Sequence, residues 1–223
     1  VKKVRRVQRG KNYRWLQILV HIAAWIPLCW LVWAYMTNNL TINPIQAAEQ
    51  RTGDTAIILL MLSLSCTPLL TLTRFGPLTN LRRPLGLYAF FYAALHLLLF
   101  VGIDYGFQFD LILADVGDKR YILVGLAAFL ILLALAVTSI RWFVVHMAKK
   151  WKQLHRLVYL AGILVVLHFA WVVKGDVTRL QGDIFRPVLA GVVLALLLLA
   201  RIPTIRKWLA SWGRRTFLRS PAR

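Results

Sequence analysis

The chain has 223 residues, of which 59% are hydrophobic, with mean hydropathy +0.64 and a net charge of +20 although only 16% of residues are charged. A soluble domain is about 45–50% apolar, so an ordinary soluble globule is excluded. Charge this positive accompanied by long apolar runs points to a membrane protein with basic flanks rather than to a nucleic-acid binder. The two cysteines, Cys29 and Cys66, lie inside apolar runs and form no CxxC or CxxCH pattern, which excludes zinc ribbons and covalently attached c-type haem.

In chain order, residues 1–14 form a basic arm without an acid. The run Trp15 to Met36 is longer than the roughly 7–15 residues of a signal-peptide core, so an uncleaved helix is expected, kinked at Pro27. A polar loop is expected over Thr37 to Asp54, a second span over Thr55 to Thr73, and a short basic turn over Arg74 to Pro84. The third span, Leu85 to Ile103, carries His96. Asp104 to Arg120 reads as a loop with four aspartates, and Tyr121 to Ile140 as the fourth span. Arg141 to Lys150 is basic. The fifth span, Trp151 to Lys174, carries His155 and His168. A loop, Gly175 to Arg186, leads to the sixth span, Pro187 to Ile202. The tail, Pro203 to Arg223, reads as an amphipathic surface helix around Trp208 and Trp212.

Each run approaches the ~20 residues that cross about 30 Å of hydrocarbon. The expected fold class is therefore all-α, a polytopic membrane bundle of six transmembrane helices. The expected organisation is a basic arm (1–14), a transmembrane domain (15–202) and a basic tail (203–223). With six spans both termini share one side. Twenty-two basic residues and no acid fall on that side; the other holds six basic and eight acidic residues. The positive-inside rule places both termini in the cytoplasm, and the mildly acidic outer face suits docking of a partner. No carboxylate, lysine or arginine lies in the interior of a span, away from its ends, which argues against a proton-coupled transporter.

The histidines are then the notable polar groups at membrane depth. At about 1.5 Å per residue, His96 lies roughly 20 Å from its inner flank at Arg83, and His168 about 24 Å from Lys152. Both belong to the outer half, on spans running in the same direction. Such a depth-matched pair can ligate a b-type haem from both sides or form an interhelical hydrogen bond. Small residues, Ala93 and Ala94 beside His96, and Ala161 and Gly162 before His168, leave room for a macrocycle. His155 sits at the inner surface. Its 13-residue separation from His168 is about 220° on an ideal helix, so the two share a stripe only if a π-bulge intervenes, for which Gly162 is a candidate place. Otherwise His155 serves an inner site, with His21, a haem propionate or a quinone, or is an ordinary interfacial residue. His21 reads foremost as a packed polar residue and His146 as a solvated one. Arg82 and Arg83 can bind haem propionates, lipid headgroups or an anionic flavin, although the positive-inside rule already accounts for them.

The segments RTGDTAIILLMLSLSCTPL, RRPLGLYAFFYAALHL and WKQLHRLVYLAGILVVLHFAWVVK resemble the MsrQ (YedZ) family. These are haem-binding membrane subunits of bacterial MsrPQ protein-methionine-sulfoxide reductase systems, in the ferric-reductase-like transmembrane superfamily. The resemblance covers nearly the whole chain, with the superfamily core at about 54–174. It implies b-type haem bound through His96, His155 and His168, FMN as an associated cofactor, and an inner-membrane location. It implies electrons from the quinone pool or a flavin reductase, delivered to MsrP, a periplasmic molybdopterin subunit on which the sulfoxide is reduced. No catalytic residue is then expected on this chain, and nucleic acid is not an expected partner. Related NADPH oxidases carry two histidines on each of the third and fifth spans. Here Arg82 and Asp110 stand 14 residues either side of His96, so the expected arrangement is one haem between His96 and His168 and a second site involving His155. The alternatives are a stand-alone ferric or quinone reductase and a haem-free permease or scaffold.

Overall fold

The computed structural model describes residues 13–173 and 184–217. Most of the basic arm, the loop after the fifth span and the end of the tail lie outside the described residues. Within them the chain is helical: α1 (Arg14–Met36), α2 (Pro44–Thr73), α3 (Leu78–Leu98), α4 (Phe109–Val116), α5 (Tyr121–Val137), α6 (Arg141–Leu154), α7 (Leu157–Val172), α8 (Phe185–Leu199) and α9 (Pro203–Phe217). A π-helical segment, Leu99–Asp104, continues α3. Three helices (α1, α2, and α3 with its π-segment) are long and apolar enough to cross a membrane; the number rises to six if α4–α5, α6–α7 and α8–α9 each count as one broken span. The all-α membrane architecture is as expected from the sequence, with several boundaries changed.

The first change concerns α2. The expected loop to Asp54 is helical from Pro44, because Asn43 caps the helix by accepting from the Gln46 N–H (3.2 Å) and Pro44 occupies the first turn, where a missing N–H costs nothing. The resulting 30-residue helix is about 45 Å long. It reaches past the bilayer core and brings Glu49 level with His96. At its other end Arg74 adopts a left-handed conformation (φ 58°) and its N–H closes on the Leu70 carbonyl.

The remaining boundary changes fall at bends. The aspartate-rich loop contains α4, which meets α5 at 113°. Beside this bend Lys119 pairs with Asp115 (2.5 Å), and the Tyr105 hydroxyl also donates to Asp115. These contacts hold the Asp115 carboxyl below its ordinary range, the lysine ammonium contributing first and the tyrosine hydroxyl second. The expected fifth span is not continuous: α6 and α7 meet at 51°, with His155 and Arg156 at the break, so Trp151 to Leu154 belong to α6. The π-helical turn falls after His96 rather than at Gly162. The amphipathic tail helix is present as α9, turned 84° from α8.

Pro27 removes the N–H that would bond the Ala23 carbonyl of α1, and the next rung, Leu28 to Ala24, is bridged from α3. The Tyr92 hydroxyl donates to the Ala24 carbonyl (2.6 Å) and accepts from the Leu28 N–H (3.1 Å). A side chain is thereby inserted into the opened helix. Tyr92 is 1% exposed, so this one contact satisfies two backbone groups that lipid could not.

The core is centred on α2 and α3. Leu60, Leu64, Ala89 and Tyr92 are its most buried members, joined by Ala161 of α7 and Leu194 of α8. Side chains such as Ile18, Ile22, Trp33, Leu130, Leu160 and Leu196 remain exposed, as a lipid-facing perimeter requires. Asp54 and Arg186 (2.6 Å) tie α2 to the start of α8.

Candidate functional site

His96 on α3 and His168 on α7 face one another with ring centroids 6.2 Å apart and planes at 81°. This is the depth-matched pair of the sequence. Each ring is held from behind. His96 Nδ1–H donates to the Glu49 carbonyl (2.9 Å), and His168 Nδ1–H donates to the Tyr121 carbonyl (2.8 Å). A carbonyl only accepts, so both neutral rings carry their proton on Nδ1 and keep the Nε2 lone pair. Metal-bound histidines are oriented in this way, with the second nitrogen donating to a carbonyl or carboxylate.

The spacing tests whether haem fits. A metal–imidazole bond is about 2 Å and a ring centroid lies roughly 1 Å behind its ligating nitrogen, so two axial imidazoles stand about 6 Å apart, centroid to centroid. The observed 6.2 Å agrees. A direct imidazole–imidazole hydrogen bond requires a proton on one facing nitrogen, whereas both Nδ1 protons are already committed to backbone carbonyls.

Two glycines complete the setting. A Cβ added at Gly125 of α5 would stand 2.7 Å from His168 Nδ1 and 2.8 Å from Cε1; one at Gly53 of α2 would stand 3.4 Å from His96 Nδ1. Gly125 is thus a requirement for the His168 ring position, and Gly53 an adjoining wall. These residues carried no signal in the sequence, because nothing there told which helices lie behind the histidines. The small residues expected to clear space near His168 do something else. Ala161 is fully buried, and a Cβ at Gly162 would meet Leu194 at 3.1 Å and Leu64 at 3.7 Å. Their smallness lets α7 pack against α8 and α2.

The other histidines lie apart from this pair. At the α6–α7 break His155 stacks on Trp151 (centroids 3.9 Å apart, 28°). The Thr138 hydroxyl donates to the Ala134 carbonyl (2.6 Å) and so accepts from His155 Nε2–H (3.2 Å). Trp151 Nε1–H fixes the same turn by donating to the Thr138 carbonyl (2.8 Å). The His155 tautomer is opposite to that of the pair, with Nδ1 as its free nitrogen. His21 bonds the Tyr88 hydroxyl through Nδ1 (2.9 Å) in a cleft between α1 and α3 of about 610 Å³, which Gln17, Asn80, Arg83 and Phe91 also line. This size suits a small organic ligand. His21 and His155 are therefore not brought together. Arg83 also donates to the Ser139 carbonyl (2.8 Å), bridging α3 to the end of α5. His146 is exposed, donates to the Trp142 carbonyl (2.8 Å) and stacks on that ring.

Known proteins match the sequence of this chain over most of its length. The family described as "Ferric reductase like transmembrane component" matches residues 52–166, which include Gly53, His96, Gly125 and His155. The MsrQ of Bordetella pertussis, a "Protein-methionine-sulfoxide reductase heme-binding subunit", is 39% identical over 197 residues, covering 88% of this chain and 90% of that one. The protein of the same description from Rhodospirillum rubrum is 39% identical over 193 residues, covering 86% and 89%. That of Herminiimonas arsenicoxydans is 38% identical over 188 residues, covering 84% of each. Matches of this extent establish that the chain belongs to the MsrQ family of ferric-reductase-like transmembrane proteins.

Proposed function

We propose that this chain is a haem b electron-transfer subunit in which His96 and His168 would hold the haem iron. The single observation that carries the reading is the facing imidazole pair, 6.2 Å between centroids, with both Nδ1 protons held on backbone carbonyls. When bound, haem supplies a one-electron couple at its iron. The chain's own residues do the positioning. The Glu49 and Tyr121 carbonyls fix the tautomers, Gly53 and Gly125 admit the rings, and the packed helices keep bulk water from them. No side chain is assigned as an acid, base or nucleophile, because the sulfoxide is reduced on a partner.

The direction of transfer follows from the charge asymmetry. The basic flanks are cytoplasmic and the acidic loops periplasmic, in the inner membrane of a bacterium. The arm (1–14) and tail (203–223) then flank one transmembrane unit on its cytoplasmic side. Electrons come from the quinone pool or a flavin reductase, with FMN associated. They pass outward to a periplasmic molybdopterin subunit, MsrP, that repairs oxidised methionines of envelope proteins. The His21–Tyr88 cleft, lined also by Arg83, is a suitable donor entry, and His155 marks a second, inner site.

The test is reoxidation in proteoliposomes. Haem is reduced through a quinol, and either the periplasmic subunit with a methionine-sulfoxide protein or a ferric chelate is added outside. Reoxidation that depends on both subunit and sulfoxide supports the reading. Equal reoxidation by ferric chelate without the subunit would point instead to a stand-alone ferric reductase.

A further inference from the structure

One cation at the opposite end of the bundle is not absorbed by the histidine pair. Arg201, just beyond α8, donates from Nη1 to the Tyr159 hydroxyl (2.7 Å) and from Nη2 to the Leu64 carbonyl (2.6 Å). Its guanidinium lies 4.8 Å from the Tyr159 ring centre. Its Nε–H is buried and has no hydrogen-bond partner among the described residues. Leu64 is 1% exposed, so Arg201 points into the bundle rather than along its rim. On the adjoining residue of α2, the Ser63 hydroxyl donates to the Arg82 carbonyl (2.8 Å). Thus α2 holds the Arg82 backbone and the Arg201 guanidinium at one level, with the Arg82 side chain exposed. Tyr159, in the first turn of α7, follows His155 at the α6–α7 break by four residues.

Among the described residues no carboxylate pairs with Arg201. No Asp or Glu occurs between Asp54 and Asp104, between Asp118 and Asp176, or after Asp183. Among the described residues the ion pairs are Asp115–Lys119 and Asp54–Arg186, both elsewhere. A half-buried guanidinium is costly unless paired and hydrogen-bonded, and arginine's planar fork suits a carboxylate or phosphate. We infer that Arg82 and Arg201 form a cradle for the oxyanion of a cofactor bound beside His155, either a propionate of a second haem or the phosphate of FMN. A lipid phosphate is less suited, because Arg201 is anchored on the buried Leu64 carbonyl. The inference rests on the proposed cofactor-bearing role and adds to it a site with Arg201 at its centre.

The experiment uses the full chain purified from haem- and flavin-sufficient cells. Haem and FMN are counted per polypeptide and the haem is titrated reductively, for the parent and for Arg82→Gln, Arg201→Gln, Arg201→Lys and Tyr159→Phe. Retention of one cofactor is expected to fall about tenfold in each Gln variant, as when a supporting contact of a metal site is removed. Arg201→Lys should lose less and Tyr159→Phe least, while the haem that depends on His168 stays. Loss of a haem component identifies a propionate; loss of FMN identifies the phosphate. Unchanged haem, FMN and titration in both Gln variants would overturn the cradle and leave a lipid or solvated role. Equal loss of all haem from the Gln, Lys and Phe variants would also overturn it, since the guanidinium would then only hold the fold. A parent with neither haem nor FMN would overturn the proposed function and the cradle together.

Discussion

Gly125→Ala adds a single methyl group, yet it strikes the candidate site directly. The new Cβ would stand 2.7 Å from His168 Nδ1 and 2.8 Å from Cε1, where ordinary contact begins at 3.4 Å. The ring must therefore retreat by about 0.7 Å, and it is a stiff ring rather than the free end of a flexible chain. A shift of that size along the bond would stretch the 2.8 Å contact with the Tyr121 carbonyl to about 3.5 Å, the edge of hydrogen-bond range. Overpacking costs about 1–3 kcal/mol and the lost hydrogen bond about 1 kcal/mol. Replacing a helical glycine returns about 0.5–1 kcal/mol. Without haem the ring is free to turn away, so the strain falls on the ligand-bound state. The net loss is about 1.5–3 kcal/mol, or roughly 10- to 100-fold in haem retention. Gly53→Ala is the matched control: its Cβ makes ordinary contact with His96 at 3.4 Å. The assay is transfer of haem from purified protein to an excess of apomyoglobin. Gly125→Ala should lose haem at least about tenfold faster than the parent, and Gly53→Ala within about threefold of it. Equal retention in Gly125→Ala and the parent would refute the placement of His168 against α5.

Tyr92→Phe should strand the Ala24 carbonyl and Leu28 N–H and destabilise the fold by about 1–3 kcal/mol, read as an earlier midpoint in a mixed-micelle denaturation. Tyr88→Phe should cost about 1 kcal/mol or less, because its partner His21 is exposed. The 81° angle between the His96 and His168 planes predicts a strongly anisotropic low-spin ferric electron paramagnetic resonance signal; the narrower signal of parallel imidazoles would contradict it. Because Lys119 and Tyr105 depress the Asp115 pKa in the folded state, their stabilisation of the α4–α5 bend is present above the ordinary value of 3.8. It is lost as pH falls through the lower folded value. Amide exchange across 105–121 should therefore rise on acidification through that window in the parent, and already be raised near neutral pH in Asp115→Asn.

The sequence carried the central pair because depth in a membrane span can be counted from charged flanks. His96 and His168 needed only the helical rise and the positions of Arg83, Asp104, Lys152 and Lys174. What stood behind them was not legible. Gly53 and Gly125 resemble any other glycines in apolar surroundings, and the carbonyls of Glu49 and Tyr121 have no side-chain signature. Hydropathy alone misread the start of α2, since Gln46, Glu49, Gln50 and Arg51 look like a loop, although Asn43-Pro44 is a readable helix start. The break at His155 has neither proline nor glycine at it, so an unbroken fifth span was the natural expectation. The acid-free surroundings of Arg201 were visible in the sequence, but the residue looked like one more basic flank until Leu64 and Tyr159 were brought against it.

The most direct measurement is the reduced-minus-oxidised spectrum and haem content of the purified parent, His96→Ala, His168→Ala and His146→Ala. The account predicts a low-spin b-type spectrum in the parent and in His146→Ala. It predicts loss of the same haem component from both His96→Ala and His168→Ala, leaving at most the inner component. An unchanged spectrum and haem content in either His96→Ala or His168→Ala would contradict the ligand pair.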